Sequence, residues 1–484
     1  MNKMFEGKKI TVVGLGLLGR GVGDAKFLAE NGADVIITDL KTEEQLAESV
    51  KQFPGMSNVK FSLGGHKMED FENRDFILKA AGVPLDSPYI AHARERGIPI
   101  EMSTSLFCSL LPKGITTIGV TGTRGKTTTT YFIYEGLKRW LASAQASAEQ
   151  RKNGSGPAFA SASAWLGGNI QGVSTLAMLP EIKSGDFVVM ELDSWQLQGF
   201  GEKNISPNIS VFTTFYPDHL NYYKGDLDLY LNDKANIFIN QKEGDTFVTG
   251  DQCVDIIKEK YSEKIKAKTI VTKVSDVPKD LNLKVIGEHN RYNIAMGMVV
   301  LRAIGLDEDV INETAENFKS VKGRLEHLAT IKGVEVYNDT TSTTPIATVT
   351  ALKALCGSVS LASGAPEAKL TEKEKLDKVV LIMGGADKSI DMKELIENWL
   401  PNVKKVILLP GTGTDRIKKE FDFAKIGIKA FQAFDLTDAV KEAFAISSEG
   451  GVVLFSPAFA SFGHFKNEYD RGEQFDLLIE KILG

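Results

Sequence analysis

The segment Thr121-Gly122-Thr123-Arg124-Gly125-Lys126-Thr127-Thr128 follows the apolar run Thr116 to Val120 and leads into a helical pattern reaching about Leu141. A glycine loop between strand and helix lets backbone N–H groups converge on an anion; the lysine adds charge, and the next hydroxyl can bind a divalent cation. Gly122, Thr123, Gly125, Lys126, Thr127 and Thr128 are therefore expected to cradle a nucleoside triphosphate. The strict spacing of such a loop asks for glycine at Val120, whereas the glycines stand at 119, 122 and 125. The competing reading is a glycine-rich turn with an exposed lysine and no ligand.

An earlier apolar run ends in Gly14-Leu15-Gly16-Leu17-Leu18-Gly19, and Asp39 closes the next run 20 residues after Gly19. That is the spacing of a dinucleotide-binding turn. Alone it fits NAD and hydride transfer, or a tight turn with no ligand. Beside a triphosphate loop it also fits a holder for a substrate that carries a nucleoside diphosphate and is activated with ATP. Glu191 ends the run DFVVMEL, where a carboxylate meets ligands and suits Mg²⁺, with a helix cap or solvated glutamate as the alternative. His219 follows the run ISVFTTF at another strand end, with a structural histidine as its default. Lys234, in Tyr230-Leu231-Asn232-Asp233-Lys234-Ala235, has the pattern of a surface helix lysine.

The elements that position these residues recur regularly. KKITVVG, ADVIITD, ITTIGVTG, DFVVMEL, KVVLIMGG, KKVILLPG and GVVLFSP alternate with helical patterns, as parallel sheets with crossover helices require, so the class is α/β. The 484 residues suit about three cores. The runs group accordingly, giving expected domains at 1–112, 113–319 and 320–484. With 43% hydrophobic and 25% charged residues the chain can bury enough apolar surface to fold, which excludes global disorder.

A net charge of −6 gives no general attraction to nucleic acid, so any phosphate must be held by a local site. Cys108, Cys253 and Cys356 lie far apart without metal-ligand spacing and read as small buried hydrophobes in a reducing compartment. No apolar run reaches the ~20 residues of a membrane span. A cytoplasmic protein is expected, without nucleic-acid or membrane partners and monomeric. Two stretches look like insertions with no chemistry: the Ala/Ser-rich 142–163, either a helix extension with a loop or an excursion, and 358–377, a solvated loop and short helix.

Taken in order, GVTGTRGKTTTT, LGGNIQG, MELDSWQL, FYPDHLNYY, the lysine of YLNDKANIF, GEHNRYN, KGRLEH and YND resemble the Mur ligase superfamily over essentially the whole chain. GLGLLGRG, GGADKSIDM and SPAFASFGHFKNEYDRGEQF are most similar to its D-glutamate-adding branch. The resemblance implies an N-terminal Rossmann-like UDP-binding domain, a central P-loop ATPase domain and a C-terminal Rossmann-like domain that carries the amino acid. It implies an ATP-dependent ligase with two Mg²⁺ ions that joins D-glutamate to UDP-N-acetylmuramoyl-L-alanine in peptidoglycan precursor synthesis.

By the same resemblance, Leu17, Leu18 and Asp39 line the UDP site. Lys126 meets the ATP phosphates, Thr127 and Glu191 hold one metal, and His219 holds a second. Lys234 is the lysine carbamylated in this family, and Asn169 faces metal and muramoyl substrate. Asn290, Asn293, Arg324 and Asp339 grip adenine and ribose, while Thr343, Lys388 and Ser461 meet the D-glutamate carboxylates.

Four positions depart from the family pattern. Arg124 replaces a usual Asn, Thr341 a usual Lys and Glu468 a usual aromatic residue, and Ala80-Ala81-Gly82 replaces a Ser-Pro-Gly turn. The alternatives are a sister Mur or folylpolyglutamate-type ligase with another acceptor, and a catalytically silent nucleotide-binding homologue.

Overall fold

Alternating β-branched runs and amphipathic helices build three sheets in the computed structural model, which describes residues 4–16, 19–150, 161–358 and 371–483. The first sheet contains β1 (Lys9–Val13), β2 (Asp34–Asp39), β3 (Val59–Leu63), β4 (Phe76–Lys79) and β5 (Ile100–Glu101), in the order β3-β2-β1-β4-β5. All its pairs are parallel, and central β1 is buried from Ile10 to Val13, as a strand covered on both faces is. The expected α/β class holds here and in the other two sheets.

The middle sheet contains β6 (Thr116–Thr121), β7 (Ala164–Gly168), β8 (Phe187–Glu191), β9 (Ile209–Phe212), β10 (Thr246–Gly250) and β11 (Lys268–Thr272). Its order is β11-β10-β9-β6-β8-β7, all parallel. Strand order reverses at β6, and the crevice at the carboxyl ends of such a reversal is where open α/β sheets bind ligands. Register brings the candidates to that edge: Val120 pairs with Glu191, Gly168 pairs with Glu191 from the other side, and Thr121 pairs with Phe212.

The third sheet contains β12 (Glu326–Ile331), β13 (Val334–Asn338), β14 (Val379–Met383), β15 (Lys405–Leu408), β16 (Ala430–Gln432) and β17 (Val452–Phe455), in the order β12-β13-β17-β14-β15-β16. Only the hairpin β12-β13 is antiparallel. Apolar clusters cover both faces of this sheet.

The chain divides into two compact units: residues 1–276 with 293–314, and residues 277–292 with 315–484. The first and middle sheets both lie in the first unit, where one apolar cluster runs from Ile10, Val12 and Leu28 through Leu176 and Leu179 to Val188 and Phe212.

The Ala-rich stretch is a helix extension. Helix Lys126–Gln150 runs beyond the Leu141 boundary expected for it, and residues 151–160 lie outside the described residues. Of the second insertion, helix Glu372–Leu376 is described. It is closed by a capping box in which Glu374 N donates to Thr371 Oγ1 at 3.3 Å, while Thr371 N donates to the Glu374 carboxylate at 2.7 Å. Residues 359–370 lie outside the described residues. Cys253 and Cys356 are buried free thiols, and Cys108 is a half-buried one. Among the described residues no helix is long and apolar enough to cross a membrane.

Candidate phosphate and metal site

The loop after β6 is shaped by contacts that leave no room for side chains at its glycines. A Cβ on Gly125 would lie 2.2 Å from Asn293 Oδ1, and the residue has φ +86°, so both sterics and backbone require glycine there. Thr214 ties the loop from β9's end: Arg124 N donates to its Oγ1 at 2.9 Å and Thr123 N to its carbonyl at 2.7 Å. Helix Lys126–Gln150 then begins, and its first N–H groups have no intrahelical acceptor. Thr127 is half-buried and Thr128 buried in this first turn. Lys126 Nζ folds back onto the loop, donating to Gly122 O at 3.2 Å and Thr123 O at 3.1 Å.

Lys234 corrects the pattern reading of its helix. It is 1% exposed, not a surface lysine. Helix Leu227–Ala235, capped by Asp226, places Tyr230 one turn before it, and its Nζ lies 4.8 Å from that ring's centroid. Nζ donates to Gly122 O at 2.7 Å, so Lys126 and Lys234 converge on one carbonyl. Burial, followed by the Lys126 ammonium, pushes the Lys234 pKa well below the lysine range; Asp193, Asp218 and Glu191 oppose the shift.

Glu191 is neither cap nor solvated. The next helix, Ser194–Lys203, is capped by Asp193 instead, and Glu191 is 3% exposed. Its Oε1 accepts from Asn169 Nδ2 at 3.0 Å, while its buried Oε2 has no hydrogen-bond partner. A buried carboxylate oxygen without a donor is costly unless a ligand completes it. Asn169 Oδ1 accepts from Arg20 Nη1 at 2.6 Å.

His219 has φ +54°, an uncommon conformation for a non-glycine residue, and its ring lies 4.8 Å from Trp195. Packing around the ring lowers its pKa although the residue as a whole is exposed; Asp218 opposes the shift, and Lys234 and Lys126 add to it. Among the described residues no three His, Cys, Asp or Glu side chains gather as a metal cluster. The expected metal set, Thr127, Glu191, His219 and Lys234, holds only two of those types. Of that set, Glu191 brings the one carboxylate.

At the first sheet, Gly14, Gly16 and Gly19 have φ of +88°, +67° and +82°, as the dinucleotide-type turn demands. Asp39 braces this turn: its Oδ2 accepts from Leu15 N at 2.9 Å and Gly16 N at 3.3 Å. Leu17 and Leu18 lie outside the described residues.

In the second unit, Lys388 Nζ donates to Thr343 Oγ1 at 2.9 Å, joining two of the residues expected at the amino acid. Buried Ser461 follows Ala460, which bridges to Ala386, two residues before Lys388. Asp339 is buried with both oxygens occupied, Oδ1 by Leu325 N at 3.0 Å and Oδ2 by the hydroxyls of Ser342 at 2.5 Å and Ser456 at 2.8 Å. Arg324 is half-buried, and Asn290 donates to Ile286 O at 2.9 Å.

Sequence reasoning missed three residues. Arg20 was signalled by its place directly after the Gly14–Gly19 turn, and Tyr230 by its spacing four before Lys234. Arg471, wholly buried beside the 339–343 loop, had no signal separating it from a surface helix arginine.

The profile of the Mur ligase middle domain matches residues 120–301, and that of the Mur ligase MurD-like N-terminal domain matches residues 8–101. The UDP-N-acetylmuramoylalanine–D-glutamate ligase of Borreliella burgdorferi strain ZS7 is 33% identical, covering 97% of this chain and 97% of its own. The ligase of the same name from Roseiflexus sp. strain RS-1 is 31% identical over 98% of this chain and 99% of its own. Among solved structures, the UDP-N-acetylmuramate-alanine ligase MurC of Thermotoga maritima superposes with TM-score 0.57 at 19% identity, covering 98% of this chain and 99% of that one. The MurF ligase of Thermotoga maritima in complex with ADP gives 0.54 at 17% identity, covering 100% and 96%. The structural likenesses show the fold.

Proposed function

Since the chain belongs to the Mur ligase family, we propose that it joins D-glutamate to UDP-N-acetylmuramoyl-L-alanine by ATP-dependent amide formation. The alanine carboxylate oxygen attacks the γ-phosphorus, the bond to ADP breaks, and an acyl phosphate forms. The D-glutamate amine attacks the acyl carbon and loses a proton, and the tetrahedral intermediate expels inorganic phosphate. Phosphorylation is needed because a carboxylate oxygen is too poor a leaving group for an amine to displace.

The observation that carries this reading is the convergence of Lys126 and Lys234 on Gly122 O, at the sheet edge that holds the unpartnered Glu191 Oε2. Lys126, the loop N–H groups and the Gly122–Thr128 turn bind and orient the triphosphate. Neutral Lys234 Nζ adds to CO₂, forming an N–C bond and losing a proton, and so carries a carboxylate into a pocket that holds the Lys126 ammonium. Thr127, Glu191, His219 and this carbamate would hold Mg²⁺, with Asn169 orienting Glu191 and facing the muramoyl group. Bound there, Mg²⁺ supplies positive charge against the phosphoryl oxygens.

Leu17, Leu18 and Asp39 serve the UDP site, where Asp39 also braces the turn through Leu15 N and Gly16 N. Thr343, Lys388 and Ser461 meet the D-glutamate carboxylates, and Asn290, Asn293, Arg324 and Asp339 serve the adenosine. The division 1–112, 113–319 and 320–484 is supported by one sheet in each part.

Phosphate release with UDP-N-acetylmuramoyl-L-alanine, with and without D-glutamate, tests this reading. D-glutamate-dependent release is expected. Release only with another amino acid reassigns the acceptor, and tight ATP binding without turnover for any acceptor in a panel identifies a silent homologue.

A further inference from the structure

Arg20 opens helix Arg20–Glu30 directly after Gly19, whose left-handed conformation supplies no side-chain cap to the helix. One of its guanidinium nitrogens is committed: Nη1 donates to Asn169 Oδ1 at 2.6 Å, and Asn169 Nδ2 donates to Glu191 Oε1 at 3.0 Å. An unbroken line of two hydrogen bonds therefore joins the first glycine turn to the buried carboxylate whose other oxygen has no partner.

The helix is also fixed in place. Ser174 Oγ donates to Asp24 Oδ1 at 2.6 Å, one turn beyond Arg20. Gly23 packs so closely on Ser174 that a Cβ would lie 2.5 Å from its Cβ, and a Cβ on Gly19 would lie 3.5 Å from Gly172 Cα. Ala25 and Leu28 share an apolar cluster with Leu176 and Leu179. A displacement of the helix start thus moves Asn169 with it, because the segment following Asn169 is packed on that helix.

Two properties of Arg20 matter beyond the distances. A guanidinium presents five N–H donors in a fixed fork, so a residue committed at Nη1 still has Nε and Nη2 for phosphate oxygens. The bond to Asn169 Oδ1 also fixes which way the amide faces, turning its NH₂ toward Glu191 and leaving the carboxylate's second oxygen aimed elsewhere.

We propose that Arg20 is a positioning residue that couples the diphosphate-binding turn of the first sheet to the metal-binding carboxylate Glu191, acting through Asn169. The proposal rests on the functional reading above for the identity of the diphosphate. Diphosphate at the turn engages the free side of the guanidinium, the other side holds Asn169, and Asn169 holds Glu191 with Oε2 presented. Binding of the acid substrate and binding of Mg²⁺-nucleotide then strengthen each other by the same factor, as linkage requires.

Calorimetry on the full chain tests this, with UDP-N-acetylmuramoyl-L-alanine and with UDP as probes, each titrated with and without Mg²⁺ and a non-hydrolysable ATP analogue. In the unaltered protein the Mg²⁺-nucleotide is expected to tighten both probes about tenfold, within the usual range of such couplings. Arg20→Met should reduce that factor to below about twofold. Arg20→Lys, which keeps the charge but has no fork, should bind each probe better than Arg20→Met does and still show little coupling. A structural role alone would weaken the probes equally with and without Mg²⁺-nucleotide.

Full coupling in Arg20→Met, or none in the unaltered protein, overturns the proposal. Should Arg20→Met lack a cooperative melt, Arg20→Lys decides: coupling equal to that of the unaltered protein overturns it. An unaltered protein that shows coupling but no D-glutamate-dependent turnover contradicts the proposed reaction and leaves the coupling standing.

Discussion

Lys79, Lys234 and Arg471 are buried almost completely among the described residues, and the fold treats the last two in opposite ways. Arg471 in the second unit is 0% exposed and engaged at each guanidinium nitrogen: Nε donates to Thr340 Oγ1 at 3.2 Å, Nη1 to Phe459 O at 3.1 Å and Nη2 to Thr340 O at 2.7 Å. Burial lowers its pKa only to about 10, and Glu468 favours the charged form, so it stays a cation. Lys234 in the first unit has one short bond, to Gly122 O, and shares that acceptor with Lys126. Arg471 cross-links two loops through all three of its guanidinium nitrogens. Lys234 is a buried amine whose charge burial opposes, and Glu191 at the same sheet edge has a carboxylate oxygen with no donor. Saturated polar groups mark where a fold is fastened, and incomplete ones mark where a ligand or a modification belongs.

The largest effects should come from breaking the incomplete side. Lys234→Met is expected to lower D-glutamate-dependent phosphate release by more than about a thousandfold, because on the proposed reading the pocket loses the anionic ligand that a carbamate would supply. Its thermal midpoint should hold, since methionine keeps the buried apolar stem and the one short hydrogen bond lost is that to Gly122 O. Lys234→Ala with added short-chain carboxylates should regain part of the turnover, the free acid standing in for the carbamate. An unimpaired Lys234→Ala protein would end the assignment.

Arg471→Met sharpens the contrast from the other side. It strips the buried carbonyls of Phe459 and Thr340 of their charged donor, and should lower stability by about 3–5 kcal/mol, read as a lower denaturant midpoint. Arg471→Lys should recover only a fraction, because an ammonium cannot reach three acceptors in the guanidinium's plane. If Arg471→Met melted like the unaltered protein while turnover collapsed, the division between fastener and reacting group would be wrong.

The same contrast explains what could be read from residue order alone. The Gly122–Thr128 loop and the Gly14–Gly19 turn are contiguous, so spacing carries their geometry, and positive φ at Gly14, Gly16, Gly19 and Gly125 bears it out. Glu191 was legible because a carboxylate ending an apolar run lies at a sheet's ligand-binding edge; the β6–β8 register that sets it beside Val120 follows from topology. Burial of Lys234 was not legible. Its helix shows an ordinary polar pattern, and the carbonyl that receives its Nζ is 112 residues away. Arg20 to Asn169 spans 149 positions and Arg471 to Thr340 spans 131, and neither pair has a local signature. Asp39, expected at the UDP site, also braces its turn, where its Oδ2 accepts from the backbone N–H groups of Leu15 and Gly16, a role that becomes visible only once the turn is closed.

The smallest effect tests whether saturation fastens without removing the burden of burial. Asp339 accepts three hydrogen bonds, yet desolvation outweighs them and raises its pKa from 3.8 to about 6. The sign follows from proton binding: between those two values the folded chain holds the Asp339 proton and the unfolded chain has released it. This group's contribution to stability is therefore fully present below about pH 4 and is lost as pH rises through about 6. At roughly 1.4 kcal/mol per pKa unit the loss has a ceiling of about 3 kcal/mol. Asp339→Asn keeps a polar group for Leu325 N and removes the titration. The difference in stability between Asp339→Asn and the unaltered chain should therefore shift in favour of the variant by up to that amount between pH 4 and pH 7 in urea titrations. Buried Asp24, raised to about 6 by the same cause, is present in both proteins and cancels from the difference. A difference that stays flat with pH would mean that the three donors fully offset the burial of Asp339.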